Sequence, residues 1–160
     1  MFQINKIIFL VLIILINGCS INNIHNNYNR SDYYIEFDVP NDKYNTFFKE
    51  HLKRLFNAKN NSNKEYLLKT SLSFDTSKTL SVSGTNVLKS TKANVNYSLQ
   101  KKHNNEIIKT GSLKTFPALS SSSNSYYSQQ KSIENIKERL TKSSAKILHI
   151  HINSILSSLN

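Results

Sequence analysis

The chain has 160 residues, with 21 Lys or Arg against 10 Asp or Glu and a formal charge of +11. That is room for one ordinary domain. Glycine occurs only at 18, 84 and 111 and cysteine only at 19, which excludes a glycine-rich phosphate loop, a nucleophile elbow and a disulfide framework.

Residues 1–18 read as a leader. Lys6 supplies a positive start, and Ile7 to Ile16 supply ten apolar residues. Ten residues of helix reach about 15 Å, half the hydrocarbon thickness of a bilayer, so a signal peptide fits better than a membrane span. Ile16-Asn17-Gly18-Cys19 resembles the lipobox of bacterial lipoproteins, in which the cysteine is acylated (palmitate-type chains) and becomes the first mature residue. The alternatives are a secretory leader with a chance cysteine and a short buried helix. Each buried methylene of an acyl chain contributes about 0.8 kcal/mol of membrane binding, so several chains hold firmly. Residues 19–31, rich in Asn, suit a flexible tether. The leader carries only Lys6, so the excess positive charge stays with the mature chain. It suits an anionic partner, or it reflects an overall Asn-, Lys- and Ile-rich composition.

A single domain is expected over residues 32–160. Residues 33–39 alternate, with Tyr33, Ile35, Phe37 and Val39 on one side, and predict a half-buried strand ended by Pro40. Asn41 or Asp42 can cap a helix begun at that point. Residues 42–57 change to helical period, with Tyr44, Phe47, Phe48, His51, Leu52, Leu55 and Phe56 on one face. Residues 66–74 predict a second strand. Residues 78–90 alternate weakly around Gly84 and read as a hairpin-like excursion or loop. Residues 91–100 form the cleanest strand, followed by a turn at 101–105 and a fourth strand at 106–116, with Gly111 a candidate bulge and Pro117 a stop. A Ser-rich linker covers 118–126, and one long helix covers 126–158. The expected fold is α+β: a two-layer, four-stranded mixed sheet, with its first pair parallel and the rest an antiparallel meander. Both helices cover one face, and the order is strand-helix-strand-strand-strand-helix. The other face is rich in Lys, Asn and Ser.

The pattern offers little catalytic chemistry. Glu36 and Asp38 fall on the solvent side of a strand. His149 and His151 point about 200° apart on a helix and cannot share one metal easily. His51 lies in an apolar stripe and reads as a core residue. Lys101-Lys102-His103 at a hairpin tip suits phosphate, but an exported lipoprotein has no routine contact with nucleic acid. No catalytic residue, metal or cofactor is expected, and an envelope hydrolase lacks a persuasive nucleophile.

Read in order, the mature chain resembles the LPS-assembly lipoprotein LptE family. The resemblance runs from Cys19 through YYIEFDVPNDKYNTFFKEHLKRLF and KANVNYSLQKKHNNEIIKTGSLKTF. It ends on SSSSNSYYSQQKSIENIKERLTKSSAKILHIHINSIL, a serine-rich joint with a tyrosine pair leading into the last helix. It implies two helices on a four-stranded sheet and no enzymatic activity. It also implies a place as a plug inside the LptD β-barrel, aiding barrel assembly and delivery of lipopolysaccharide to the outer leaflet. Ser20, in place of an Asp after Cys19, agrees with an outer-membrane destination. Expected phosphate contacts are Lys89 and Lys92 entering the third strand and Lys101 and Lys102 at the hairpin tip, with plain solvated lysines as the alternative. The rival function is a structural or interaction lipoprotein of another envelope system on the same scaffold.

Overall fold

The structure is a computed structural model that describes residues 33–56, 64–80, 87–120 and 125–159. The leader, Cys19 and the tether lie outside the described residues, as do residues 57–63, 81–86 and 121–124. The chain order is β1 (Tyr33–Asp38), α1 (Lys43–Phe56), β2 (Lys64–Leu80), β3 (Val87–Lys101), β4 (Ile107–Lys114), β5 (Ala118–Leu119) and α2 (Tyr126–Ser157). The strands form one sheet in the order β1-β2-β3-β4, with β5 added to β3. β1 and β2 are parallel, Tyr33 opposite Lys64 and Asp38 opposite Lys69. The remaining pairs are antiparallel.

The start of α1 follows from a few residues. Pro40 cannot continue the ladder. Asp42 then caps the helix, its Oδ1 accepting the N–H of Tyr44 (3.1 Å) and of Asn45 (3.0 Å). Those backbone bonds hold the Asp42 carboxyl below its ordinary pKa. Asn45 is buried and turns its amide onto the edge of β2: Oδ1 accepts Leu72 N–H at 2.7 Å and Nδ2 donates to Leu72 C=O at 3.0 Å. One side chain thus stands in for one residue of a strand. Lys53 and Arg54 in the last turn suit the negative end of the helix dipole.

The two helices run parallel to each other. Lys137 Nζ lies 5.6 Å from the Tyr44 ring near the start of α1, and the His149 ring lies 4.6 Å from Phe56 at its end. Both cover the same sheet face. Ile35, Phe37, Tyr66, Leu68, Leu72, Ala93, Val95, Tyr97 and Leu99 meet Phe48, Leu52 and Phe56 of α1 and Ile136, Leu140, Leu148, Ile152 and Leu156 of α2 in one core. Removing a fully buried leucine side chain such as Leu52 or Leu148 from water contributes about 2 kcal/mol.

The sequence expectation is met for the fold class and corrected in four details. The segment 78–90 is more than a local excursion: β2 runs to Leu80 and β3 starts at Val87, so a long hairpin arm extends past the start of α1. Beyond Phe74 the arm is paired through backbone and hydroxyls, as in Thr76 Oγ1 to Thr91 Oγ1 at 3.1 Å, so it carries no greasy alternation. The serine-rich linker contains the short β5, followed by Ser120, which donates N–H to Lys89 C=O (2.8 Å) and whose Oγ accepts Lys89 N–H (2.9 Å). The register shift lies at Leu99/Gln100, where Lys109 and Ile107 are the successive partners, and Gly111 sits in regular register opposite Tyr97. Gly111 is needed for a different reason: a Cβ there would stand 2.7 Å from Tyr97 Oη, and Tyr97 is buried and bonded to His151 Nε2 at 2.6 Å. His51 is half-buried at the edge of the helix pair, outside the central core.

Asn45→Ala strands two buried backbone groups at Leu72. It is expected to cost about 2–3 kcal/mol in urea unfolding, against about 1 kcal/mol for Asp42→Ala. Gly111→Ala is expected to cost about 1–3 kcal/mol, because the ring it strikes cannot move aside. An Asn45→Ala variant with unchanged stability would remove the account of how β1 ends.

Candidate functional site

The helices leave the second sheet face open, and the strand period puts its polar residues there in rows. Ser71, Asn96 and Ser112 form one row, Ser73, Asn94 and Lys114 the next, and Asp75 faces Lys92 beyond them. Asn94 Nδ2 donates to Asp75 Oδ2 at 2.6 Å. Where β1 stops, Asp38, Val39 and Pro40 wall a shallow open depression of about 490 Å³ over Lys69, Ser71, Asn96 and Ser98. This face offers hydroxyls, amides and alternating charge, suited to a hydrated polar surface.

The four lysines that the sequence offers for phosphate contact do not form one group. Lys89 and Lys92 are twelve and nine residues along β3 from Lys101, and Lys102 follows it in the turn, so the two pairs are about 30–40 Å apart. At the near end each lysine is already engaged. Lys101 Nζ lies 2.8 Å from Glu106 Oε2, and Lys102 Nζ lies 3.1 Å from Glu36 Oε2 and 3.2 Å from Glu65 Oε2, with the Tyr34 ring 5.8 Å away. The hydrogen bonds to these carboxylates raise both lysine pKa values, and the bond to Lys101 lowers that of Glu106. Glu36, on the solvent side of β1, is one arm of this clamp. At the far end Lys92 is opposite Asp75 in register, and Lys89 is fixed by its backbone to Ser120.

Among the described residues, the far end also carries the three most exposed large apolar side chains, with Leu119 beside them, whereas Ile107, 58 % exposed, lies by the β3–β4 turn. Phe116 is 93 % exposed, Tyr127 77 %, Tyr126 74 % and Leu119 55 %. β5 places Leu119 beside Ser90. Lys137 lies over Phe74, and eleven residues of helix carry Tyr126 about 16 Å further toward the hairpin tip. The tyrosine pair at the start of α2 therefore lies at the same end as Lys89.

Histidines 149 and 151 point to different neighbours. His151 meets Tyr97, whereas His149 is buried against Phe56. Asn153 Oδ1 accepts from the Tyr33 hydroxyl, so its Nδ2 donates to His149 Nε2 at 2.9 Å and makes that nitrogen the unprotonated one. Sequence reasoning misses this link between the start of β1 and the end of α2; the four-residue spacing of His149 and Asn153 is its only signal. Among the described residues, no cluster of His, Cys, Asp and Glu could hold a metal ion, and no helix is long and apolar enough to cross a membrane.

No protein-family model and no curated protein sequence matches the chain. Solved structures do. A putative lipoprotein from Caulobacter crescentus CB15 superposes with a TM-score of 0.60 at 15% identity, covering 79% of this chain and 92% of that one. A rare lipoprotein B from Shewanella oneidensis gives 0.60 at 14%, covering 78% and 97%. A minor lipoprotein from Acinetobacter baumannii gives 0.54 at 15%, covering 77% and 93%. At such identities the likeness is one of fold: this chain has the helix-on-sheet architecture of those three proteins.

Burial holds the His149 pKa below its ordinary 6.5, and burial with the nearby charges of Arg54 and Lys142 does the same for His51. A histidine with a depressed folded-state pKa takes up protons more readily when unfolded. Stability should therefore be level above about pH 6.5 and fall as the pH drops below it toward the folded-state values. His149→Gln should flatten part of that slope in urea midpoints measured from pH 7.5 to 5. A slope of opposite sign would contradict the buried neutral imidazole.

Proposed function

We propose that the chain is a lipid-anchored lipoprotein of LptE type, tethered through Cys19 to the periplasmic face of the outer membrane. In this reading it plugs an LptD-like β-barrel, aids its assembly and helps deliver lipopolysaccharide to the outer leaflet. The carrying observation is the shared fold with three proteins called lipoproteins, one of them a rare lipoprotein B, behind a lipobox-like Ile16-Asn17-Gly18-Cys19.

The physical reading supports it. A plug in a polar lumen needs a self-contained core and a hydrophilic exterior. The one-sided core and the hydroxyl- and amide-bearing open face supply both. The work is docking and binding, with no bond-making step assigned to any residue. Lipopolysaccharide phosphates would meet Lys89 on the helix side or Lys92 on the open side of β3, at the end that also carries exposed Phe116, Leu119, Tyr126 and Tyr127. At Lys101 and Lys102 a phosphate must first displace carboxylates.

Detergent extracts of envelopes purified through this chain are expected to contain a large β-barrel protein in one-to-one ratio, and Cys19→Ala should release the chain from the membrane fraction. Lys89→Glu with Lys92→Glu should lower bound lipopolysaccharide several-fold, whereas Lys101→Ala with Lys102→Ala should leave it within about twofold. A purified chain without a barrel, from cells with normal surface lipopolysaccharide after its depletion, would overturn the proposal in favour of another envelope system.

A further inference from the structure

β1 lies against β2 only from Lys64 to Lys69, although β2 continues to Leu80. Asn45 shows which way the uncovered backbone points: both Leu72 N–H and C=O are directed outward, away from β3. The β2–β3 register continues without a shift. Strand alternation therefore turns the N–H and C=O of Phe74, Thr76 and Lys78 outward as well, about 6.8 Å apart. Among the described residues no strand covers that edge. Ser73, Asp75 and Ser77 turn theirs toward β3.

We propose that Phe74–Lys78 is a strand-addition site, taking an extended main-chain segment of the barrel partner as a further strand of the sheet. The inference rests on the plug reading for the existence of that partner. The chemistry of the occupant follows from Asn45, which satisfies the first position of the row with one amide donor and one amide acceptor. A peptide backbone repeats that pair at the right spacing.

Side chains narrow the choice of protein. Asp75 lies on the open face and Lys78 on the helix face. Two copies of this edge related by a two-fold axis perpendicular to the sheet oppose residues of the same face, so Asp75 and Lys78 never meet and self-pairing gains no charge complementarity. A foreign segment can place an acidic side chain opposite Lys78 and a basic one opposite Asp75.

The test is amide hydrogen exchange of the full acylated chain, alone and in the complex purified with its barrel partner. Alone, Phe74, Thr76 and Lys78 should exchange nearly unprotected while Ser73, Asp75 and Ser77 are slow. In the complex the three outward amides should slow at least tenfold. Thr76→Pro removes an outward N–H without touching the β3 ladder and should lower recovery of the barrel at least tenfold. Thr76→Ala, which keeps the outward N–H and loses only the side chain, should leave recovery within about twofold. A complex in which the three amides exchange as fast as in the isolated chain overturns the edge site and leaves the plug reading standing. Protection that grows with concentration of the isolated chain overturns it in favour of a second copy, and absence of any barrel overturns both readings.

Discussion

The pairing of Asn45 with Leu72 decides how the sheet is built. β1 has six residues and β2 seventeen, so the chain must leave the sheet while its neighbour continues. Pro40 breaks the ladder, Asp42 opens α1, and the buried Asn45 amide closes a backbone position that β1 no longer reaches. An unpaired buried amide costs about 1–3 kcal/mol, so this one side chain makes an abrupt turn from strand to helix tolerable. It also fixes where α1 lies, and α2 packs alongside it in the same direction. The polar hairpin arm beyond the end of β1 and its uncovered edge are consequences of that early exit.

The parts legible in the sequence are those where burial writes a period. Ile35 and Phe37, the Phe48-Leu52-Phe56 stripe, and Ala93, Val95, Tyr97 and Leu99 all have their apolar side under a helix, and the alternation or helical spacing shows it in each case. The hairpin arm is not legible, because past Phe74 its helix-side positions Thr76, Lys78, Lys89 and Thr91 are polar, even where one is fully buried, as Thr91 is. The two residues of β5 are held by backbone bonds to β3 and by Ser120, and two residues have no period to detect. Gly111 stands out by rarity, which suggests a bulge, but the constraint is the Tyr97 ring across the strand, a contact that only the register reveals. For the lysines, sequence shows charge but not pairing. Lys102 lies between Glu36 and Glu65, which are 66 and 37 residues away along the chain and meet only once β1, β2 and the β3–β4 turn are assembled.

The two ends of the molecule differ in kind. The end holding the β3–β4 turn is neutralised internally by lysine–glutamate contacts of exposed groups, which contribute little to stability but leave little net field. The end holding the hairpin arm combines Lys89, Lys92 and exposed Phe116, Leu119, Tyr126 and Tyr127. Exposed aromatics beside cations favour an amphiphilic contact surface over a solvated one. In the proposed reading, a plug would meet polar barrel wall along its open sheet face and an amphiphile at its tip, and would use both features.

The most direct test of the proposal that this domain docks inside a larger pore is a cryo-electron microscopy structure of the complex isolated from envelopes through this chain. The account expects the sheet and its two parallel helices enclosed in a barrel lumen with their core unchanged and the Ser-, Asn- and Lys-bearing face against the wall. A domain lying outside any barrel, with that face in bulk water, would contradict it.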